Sequence, residues 1–305
     1  MHPITLAATT GRCGTTFLER SLQLSYGEGP QWISHEHLRQ NVTQVAPFHR
    51  SFEPADREGM LSPEVTGLLA DWRRISETAP VVDFGWTMRS LIPWMHSEIG
   101  DQLRVIHLHR HPVAVAASFK LIGSYSDYQA PNWALTPSHP RALFPQFQSR
   151  WGNMGPFEKC LYLWLEANAF ARELPDRIPG LQMLDVRSES LFKSPEVLRR
   201  VAQFTGFADW RPDCPLVPSE EKNERAVFCL ERRPLGEEWK TYQRHPEVIE
   251  LAEAMGYDMS PEFVGASIHK YQLPDGWLPL LRNRSGYWVV KERVGKLLRQ
   301  AGLRK

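Results

Sequence analysis

An excess of charge of either sign is missing from this sequence. Thirty-six Lys and Arg stand against 35 Asp and Glu, giving a formal net charge of +1. A whole-chain pull toward nucleic acid or an anionic membrane is thereby excluded, and no nucleic-acid partner is expected. Any site for an anion must be built from local basic clusters. No run reaches the ~18 consecutive apolar residues of a membrane span, so no transmembrane segment is expected. Met1–Pro3 is too short for the charged start of a signal peptide, and the next residues read as a strand. Cysteine is scarce. The four (Cys13, Cys160, Cys214, Cys229) form no CxxC pair and no His/Cys metal spacing. Reduced thiols in a cytoplasmic protein are the default reading. Internal repeats and low-complexity tracts are absent.

What is present is an ordinary globular composition, 42% apolar and 23% charged over 305 residues. That length allows one large α/β domain or two small ones. Ile4–Ala8 is a short apolar run, followed by a Gly-containing turn and by helical spacing over Thr15–Leu24. Pro80–Phe84, Leu103–Leu108 and Leu181–Val186 read as further strands. Helices are expected around Met88–Ile99, just after Pro112 and over Pro195–Phe204. This alternation predicts an α/β fold with an open, mostly parallel sheet and helices on both faces. Gly123–Pro156 and Glu262–Asn283 break the rhythm and read as irregular. Tyr287–Lys305 has the apolar spacing of a basic amphipathic helix docked on the core.

Two segments could hold phosphate groups. Gly11-Arg12-Cys13-Gly14-Thr15-Thr16-Phe17 links the first strand to its helix. A loop there turns backbone N–H groups outward, and the helix N-terminus adds partial positive charge. Gly11 and Gly14 let the backbone approach an anion, Thr15 and Thr16 can donate hydroxyls, and Arg12 adds a cation. It is not a nucleotide-kinase loop: Thr15 stands where the Lys belongs, and Thr9 where the first Gly belongs. The second segment follows the third strand, where Arg110-His111-Pro112 closes the strand end and Ser118 lies eight residues after Arg110. An Arg at a strand's C-terminal end and a hydroxyl about two turns into the next helix can grip one phosphate.

These segments resemble the nucleotide site of sulfotransferases that use 3′-phosphoadenosine 5′-phosphosulfate (PAPS) as donor and release 3′-phosphoadenosine 5′-phosphate (PAP). Arg12–Leu18 matches the family's phosphosulfate loop, [KR]-x-G-T-T-x-L. Arg110 through Ser118 matches its 3′-phosphate motif, RxPxxxxxS. Arg232-Arg233-Pro234-Leu235-Gly236-Glu237-Glu238-Trp239-Lys240 resembles RKGxxGxWK, with Pro234 at one glycine position and Gly236 offset by one from the other. The resemblance spans roughly Ile4 to Asp258 and rests on these three windows. It implies a P-loop-like sulfotransferase domain over residues 1–260, with 123–156 as an acceptor-side insertion and 261–305 as a C-terminal extension. It implies that Arg12 stabilises the leaving phosphate and that Arg110, Ser118, Arg232 and Arg233 hold the nucleotide, with Gly11, Cys13, Gly14, Thr15, Thr16 and Phe17 in the loop. No metal is required.

A general base should take the acceptor's proton. Glu36 lies 24 residues after Arg12, similar to the base Glu of the glycosaminoglycan-type members, with His37 or His35 as its orienting partner. Asp83, at the end of the second strand, is the second choice. Tyr125–Trp151, which includes Trp133, is expected to line an aromatic acceptor pocket. His107, His109 and His111 alternate around the third strand without suggesting a metal site. The acceptor stays open among a small molecule, a sugar and a carrier-bound group, and a homo-oligomer stays open. The alternatives are an ATP-dependent small-molecule kinase and a non-catalytic nucleotide-binding module of the same fold.

Overall fold

The computed structural model describes residues 1–27, 29–35, 37–38, 46–57, 62–125, 135–207 and 235–271. Its centre is a five-stranded sheet, parallel at every pairing, flanked by helices. The strands are β1 (Ile4–Ala8), β2 (Trp32–Ser34), β3 (Val81–Asp83), β4 (Leu103–His109) and β5 (Gln182–Arg187), in the order β2-β3-β1-β4-β5. The expected α/β class with an open parallel sheet is the observed one. β1 sits between Val81 of β3 and Leu103 of β4, both in register with Ile4. All five of its residues are buried, which is why it reads as an unbroken apolar run rather than an alternating one. The edge strand β2 was not anticipated, being three residues long and only half-buried.

The helices are α1 (Thr15–Tyr26), α2 (Pro63–Ser76), α3 (Ile92–Ile99), α4 (Pro112–Leu121), α5 (Pro156–Arg177), α6 (Ser188–Leu191), α7 (Pro195–Phe204), α8 (Pro246–Ala254) and α9 (Pro261–Ile268). α2 begins where Ser62 accepts the Val65 N–H and Pro63 takes the first turn. It buries Val65, Leu68, Leu69, Trp72 and Ser76, one stripe at helical spacing. One core cluster gathers this stripe, Ile4, Leu6 and Ala8 of β1, Val81, Leu103 and Val105 of the neighbouring strands, Trp94 and Met95 of α3, and Phe170 and Leu174 of α5. At a typical cost of about 2–5 kcal/mol for a buried Leu→Ala change, such a cluster holds the sheet rigid under its C-terminal edge.

The chain divides into two compact units. The first holds the sheet, α1–α3, α5 from Tyr162 onward, α6 and α7. The second holds α4, the opening of α5, α8 and α9. Within the second, Trp239 and Tyr242 stack at 6.3 Å, Tyr242 donates to the Met259 carbonyl at 2.9 Å, and His245 meets Glu158 at 3.1 Å. Lys120 pairs with Glu238. The expectation of irregular chain from Glu262 is corrected here. Pro261–Ile268 is helical, because Pro261 opens it and Val264 and Ile268 bury one face. The segment 135–155 has turns and two short 3-10 stretches, Pro145–Ser149 and Trp151–Asn153. The basic helix expected over Tyr287–Lys305 lies outside the described residues. Among the described residues, no helix is long and apolar enough to cross a membrane.

Candidate active site at the C-terminal edge of the sheet

Because every pairing is parallel, the strands end on one edge at Ala8, Ser34, Asp83, His109 and Arg187. The chain leaves β1 toward β2 and β3 and later crosses to β4. The switch point therefore falls at the end of β1, where open α/β sheets bind ligands.

The loop after β1 is held in an unusual backbone shape. Gly11, Arg12 and Gly14 have φ of 81°, 59° and 96°. Gly14 caps α1 in the left-handed conformation. The cap glycine has no side chain to bond the helix N–H groups, and no acidic residue lies in the first turn. The helix thus presents its positive end without a built-in anion. The loop is pinned from inside. Thr10 donates to the Gly11 carbonyl at 2.8 Å, the Gly11 N–H reaches the Thr9 hydroxyl at 3.3 Å, and buried Arg89 donates to the Thr9 carbonyl at 3.0 Å. The glycines also answer a packing demand. A Cβ on Gly14 would lie 2.8 Å from Phe192 Cζ, and one on Gly11 would lie 3.2 Å from Trp86 Cδ1. The structure therefore gives both glycines a reason besides approach to an anion. Cys13 is fully buried beneath the loop, and burial raises its thiol pKa against hydrogen bonds from Thr10 and Thr9.

The end of β4 docks on this loop. Arg110 donates through Nη1 to the Arg12 carbonyl at 3.3 Å, so the two arginines expected at opposite ends of the nucleotide are neighbours in space. Trp164 Nε1 donates to the Arg110 carbonyl at 2.8 Å, and the His111 N–H donates to Glu189 at 3.0 Å. Ser188, directly after β5, shares its one hydroxyl hydrogen between the carbonyls of Cys13 and His109. Ser188 and Arg89 escaped the sequence reading. A hydroxyl residue immediately after a strand, as Thr9 is after β1, was the available signal for Ser188. Ser118 is buried in α4, within the second unit.

Beside β1, the ends of β2 and β3 carry the acid–base candidates. Asp83 is fully buried. Its Oδ2 accepts from Ser34 at 2.7 Å, and its Oδ1 accepts the Gly85 N–H at 2.6 Å. Burial raises its pKa, against those bonds and the nearby His37. Trp32 Nε1 in turn donates to Ser34 at 2.7 Å. Both Asp83 oxygens are thus engaged by local donors, an arrangement that positions the loop after β3. His35 and His37 part company. His35 lies 3.6 Å from Glu19 of α1, whereas exposed His37 meets the Trp32 ring edge-on at 5.0 Å. They face different partners because the chain turns after Ser34 instead of staying extended. Glu36, Trp133, Arg232 and Arg233 lie outside the described residues. Trp151 packs against Tyr162 at 5.2 Å.

Behind the Arg110 corner, β4 and β5 bring together His107, His109 and Asp185. Among the described residues, this is the one group of three whose ligand atoms have metal-like spacing.

No family model matches the chain, and no curated protein matches it. Solved structures do. One is the sulfotransferase domain from the Synechococcus PCC 7002 olefin synthase, with 18% identity over 85% of this chain and 96% of that one, at a TM-score of 0.47. A second is the sulfotransferase domain from the curacin biosynthetic pathway, with 14% identity over 85% and 99%, at 0.49. A third is a sulfotransferase from Alicyclobacillus acidocaldarius, with 15% identity over 85% and 98%, at 0.42. The structural likeness is to sulfotransferases. At such identities and TM-scores it carries no argument of its own, and a functional reading rests on the residues above.

Proposed function

We propose that this chain is a PAPS-dependent sulfotransferase that moves a sulfuryl group to a hydroxyl or amine acceptor by in-line displacement. The observation that supports it best is the contact between Arg110 and the Arg12 carbonyl, beside a left-handed loop and the glycine-capped N-terminus of α1. Two guanidinium groups and a row of N–H donors on one strand edge suit a ligand with phosphates at two ends. The fit of PAPS to this edge is a matter of chemistry. The loop offers backbone and Thr15 and Thr16 donors to a 5′-phosphosulfate, and Arg110 offers a fork of donors to a 3′-phosphate. Ser118, Arg232 and Arg233 are the further nucleotide contacts that the sequence motifs nominate.

In this reading Glu36 takes the acceptor's proton, with His37 or His35 orienting it. The acceptor oxygen or nitrogen bonds to sulfur as the S–O bond to the 5′-phosphate breaks. Arg12 and the α1 N-terminus neutralise the charge that collects on the departing phosphate oxygen. Arg is permanently charged, so Arg12 supplies electrostatic stabilisation and donates no proton. Asp83 acts through the loop it braces, as a positioning carboxylate. A small molecule, a sugar or a carrier-bound group all fit the reaction.

The test is calorimetric titration of the folded protein with PAP, with ATP and ADP plus Mg²⁺ as controls. Saturable PAP binding without ATP binding is expected. ATP binding in place of PAP would turn the reading to a kinase. Silence with PAP would overturn it.

A further inference from the structure

We propose that His107, His109 and Asp185 form a binding site for one divalent transition-metal ion of the zinc class. The inference stands independently of the sulfotransferase reading. His107 and His109 alternate on β4 and so face one side of the sheet, with ring centroids 4.7 Å apart. Asp185 is the register partner of His107 on β5. His107 Nδ1 lies 3.0 Å from Asp185 Oδ2, and His109 Nε2 lies 2.8 Å from Oδ1. In a tetrahedral centre with bonds of about 2.0–2.1 Å, ligand atoms stand about 3.3 Å apart. The two contacts run to different oxygens of the one carboxylate, and the three ligand atoms, one from each residue, lie within 4.8 Å of one another, close enough for one ion to gather them.

The decisive residue is Asn168. Its Nδ2 donates to the Trp164 carbonyl at 2.7 Å, and a carbonyl can only accept. The amide orientation is thereby fixed, and Oδ1 faces His107 Nε2 at 3.0 Å. An amide oxygen also only accepts, so Nε2 carries the hydrogen of the neutral ring. The lone pair of Nδ1 then points at a carboxylate oxygen, acceptor against acceptor. A cation belongs between them, either a second proton on His107 or a metal ion. The metal is favoured by a second imidazole on the same carboxylate. It is also favoured by the hydrogen bond behind His107, the support that metal-binding histidines ordinarily have. The ring side chains are 2% exposed and the carboxylate 65%, so rigid nitrogen donors face an open side where an ion can enter and keep a water. An ion here would tie β4 to β5 immediately before Arg110 and three residues before Ser188.

The experiment titrates chelator-treated full-length protein with Zn²⁺ and, separately, with Co²⁺. One equivalent is expected to bind, with a visible Co²⁺ spectrum of low coordination number and a Zn²⁺-dependent rise in Tm. Asn168→Ala should weaken binding by roughly 10–100-fold. Asp185→Asn, at a carboxylate 65% exposed, and His109→Ala should weaken it further and remove the Tm rise. Absence of saturable binding by either ion would leave the proton as the occupant and overturn the proposal. Binding that survives Asp185→Asn would place the ion elsewhere and overturn it too.

Discussion

Gly14→Ala tests whether the loop's geometry is set by steric demand. Gly14 has φ 96° and ψ 19°, and a left-handed residue with a Cβ costs about 1–2 kcal/mol. The new Cβ would stand 2.8 Å from Phe192 Cζ and 3.1 Å from Cε1. The Phe192 ring has little room to retreat, because it packs edge-on against Phe17 at 5.3 Å. Overpacking of this kind costs about 1–3 kcal/mol, and the stiffer unfolded chain returns about 0.4–1 kcal/mol. The expected loss is therefore about 3 kcal/mol. With a urea m-value of about 3 kcal/mol/M, the unfolding midpoint should fall by about 1 M. In a Phe192→Leu background the clash is relieved and the backbone cost of about 1–2 kcal/mol remains. The two substitutions should therefore couple by the relieved overpacking, about 1–3 kcal/mol, within the range for contacting residues. A loss below about 0.5 kcal/mol, or additivity of the pair, would refute the reasoning.

Arg110→Ala should weaken PAP binding about tenfold or more, the worth of a hydrogen-bonded charge, as read by calorimetry; unchanged affinity would remove Arg110 from the 3′-phosphate. Arg12→Ala should lower kcat more than PAP affinity, because its charge matters most as the bridging bond breaks; equal losses would reduce Arg12 to a binding residue. Glu36→Gln should nearly abolish turnover and leave PAP binding intact. Asp83→Asn should act through stability, because the amide must turn its NH₂ toward one of the two donors, Ser34 or Gly85, that now meet the two oxygens. Its cost is about 1–3 kcal/mol by denaturation, and a folded Asp83→Asn enzyme without turnover would make Asp83 the base. Cys13 and Cys160 are buried free thiols whose pKa values are raised by burial. Mass spectrometry after alkylation of the native protein near pH 8 should find both unmodified.

β1 was legible because it is buried on both faces and so spells a short apolar run; β1 and α7 were read to the residue. β2 gave too short a signal, three residues that follow a turn. α2 had its signs in plain view, the Ser62 cap, Pro63 and the Val65–Leu68–Leu69–Trp72 stripe, and went unread. The loop and Arg110 were legible as spaced residue types, but their contact was not. The Asp83 network depends on β2 lying beside β3, and the His107–Asp185 pairing depends on the register of β5 against β4. Register and the partner 61 residues away in Asn168 are tertiary facts that periodicity does not encode.

The position of β1 has a consequence for how the chain is made. Ile4 leaves the ribosome well before its register partners, Val81, 77 residues later, and Leu103, 99 residues later. At synthesis rates of about 5–20 residues per second, an apolar strand waits roughly 4–15 s for its first neighbour. The loop after β1 waits longer, until the end of β4 arrives to place Arg110 against Arg12. The central strand is therefore a segment that gains from protection by chaperones during synthesis.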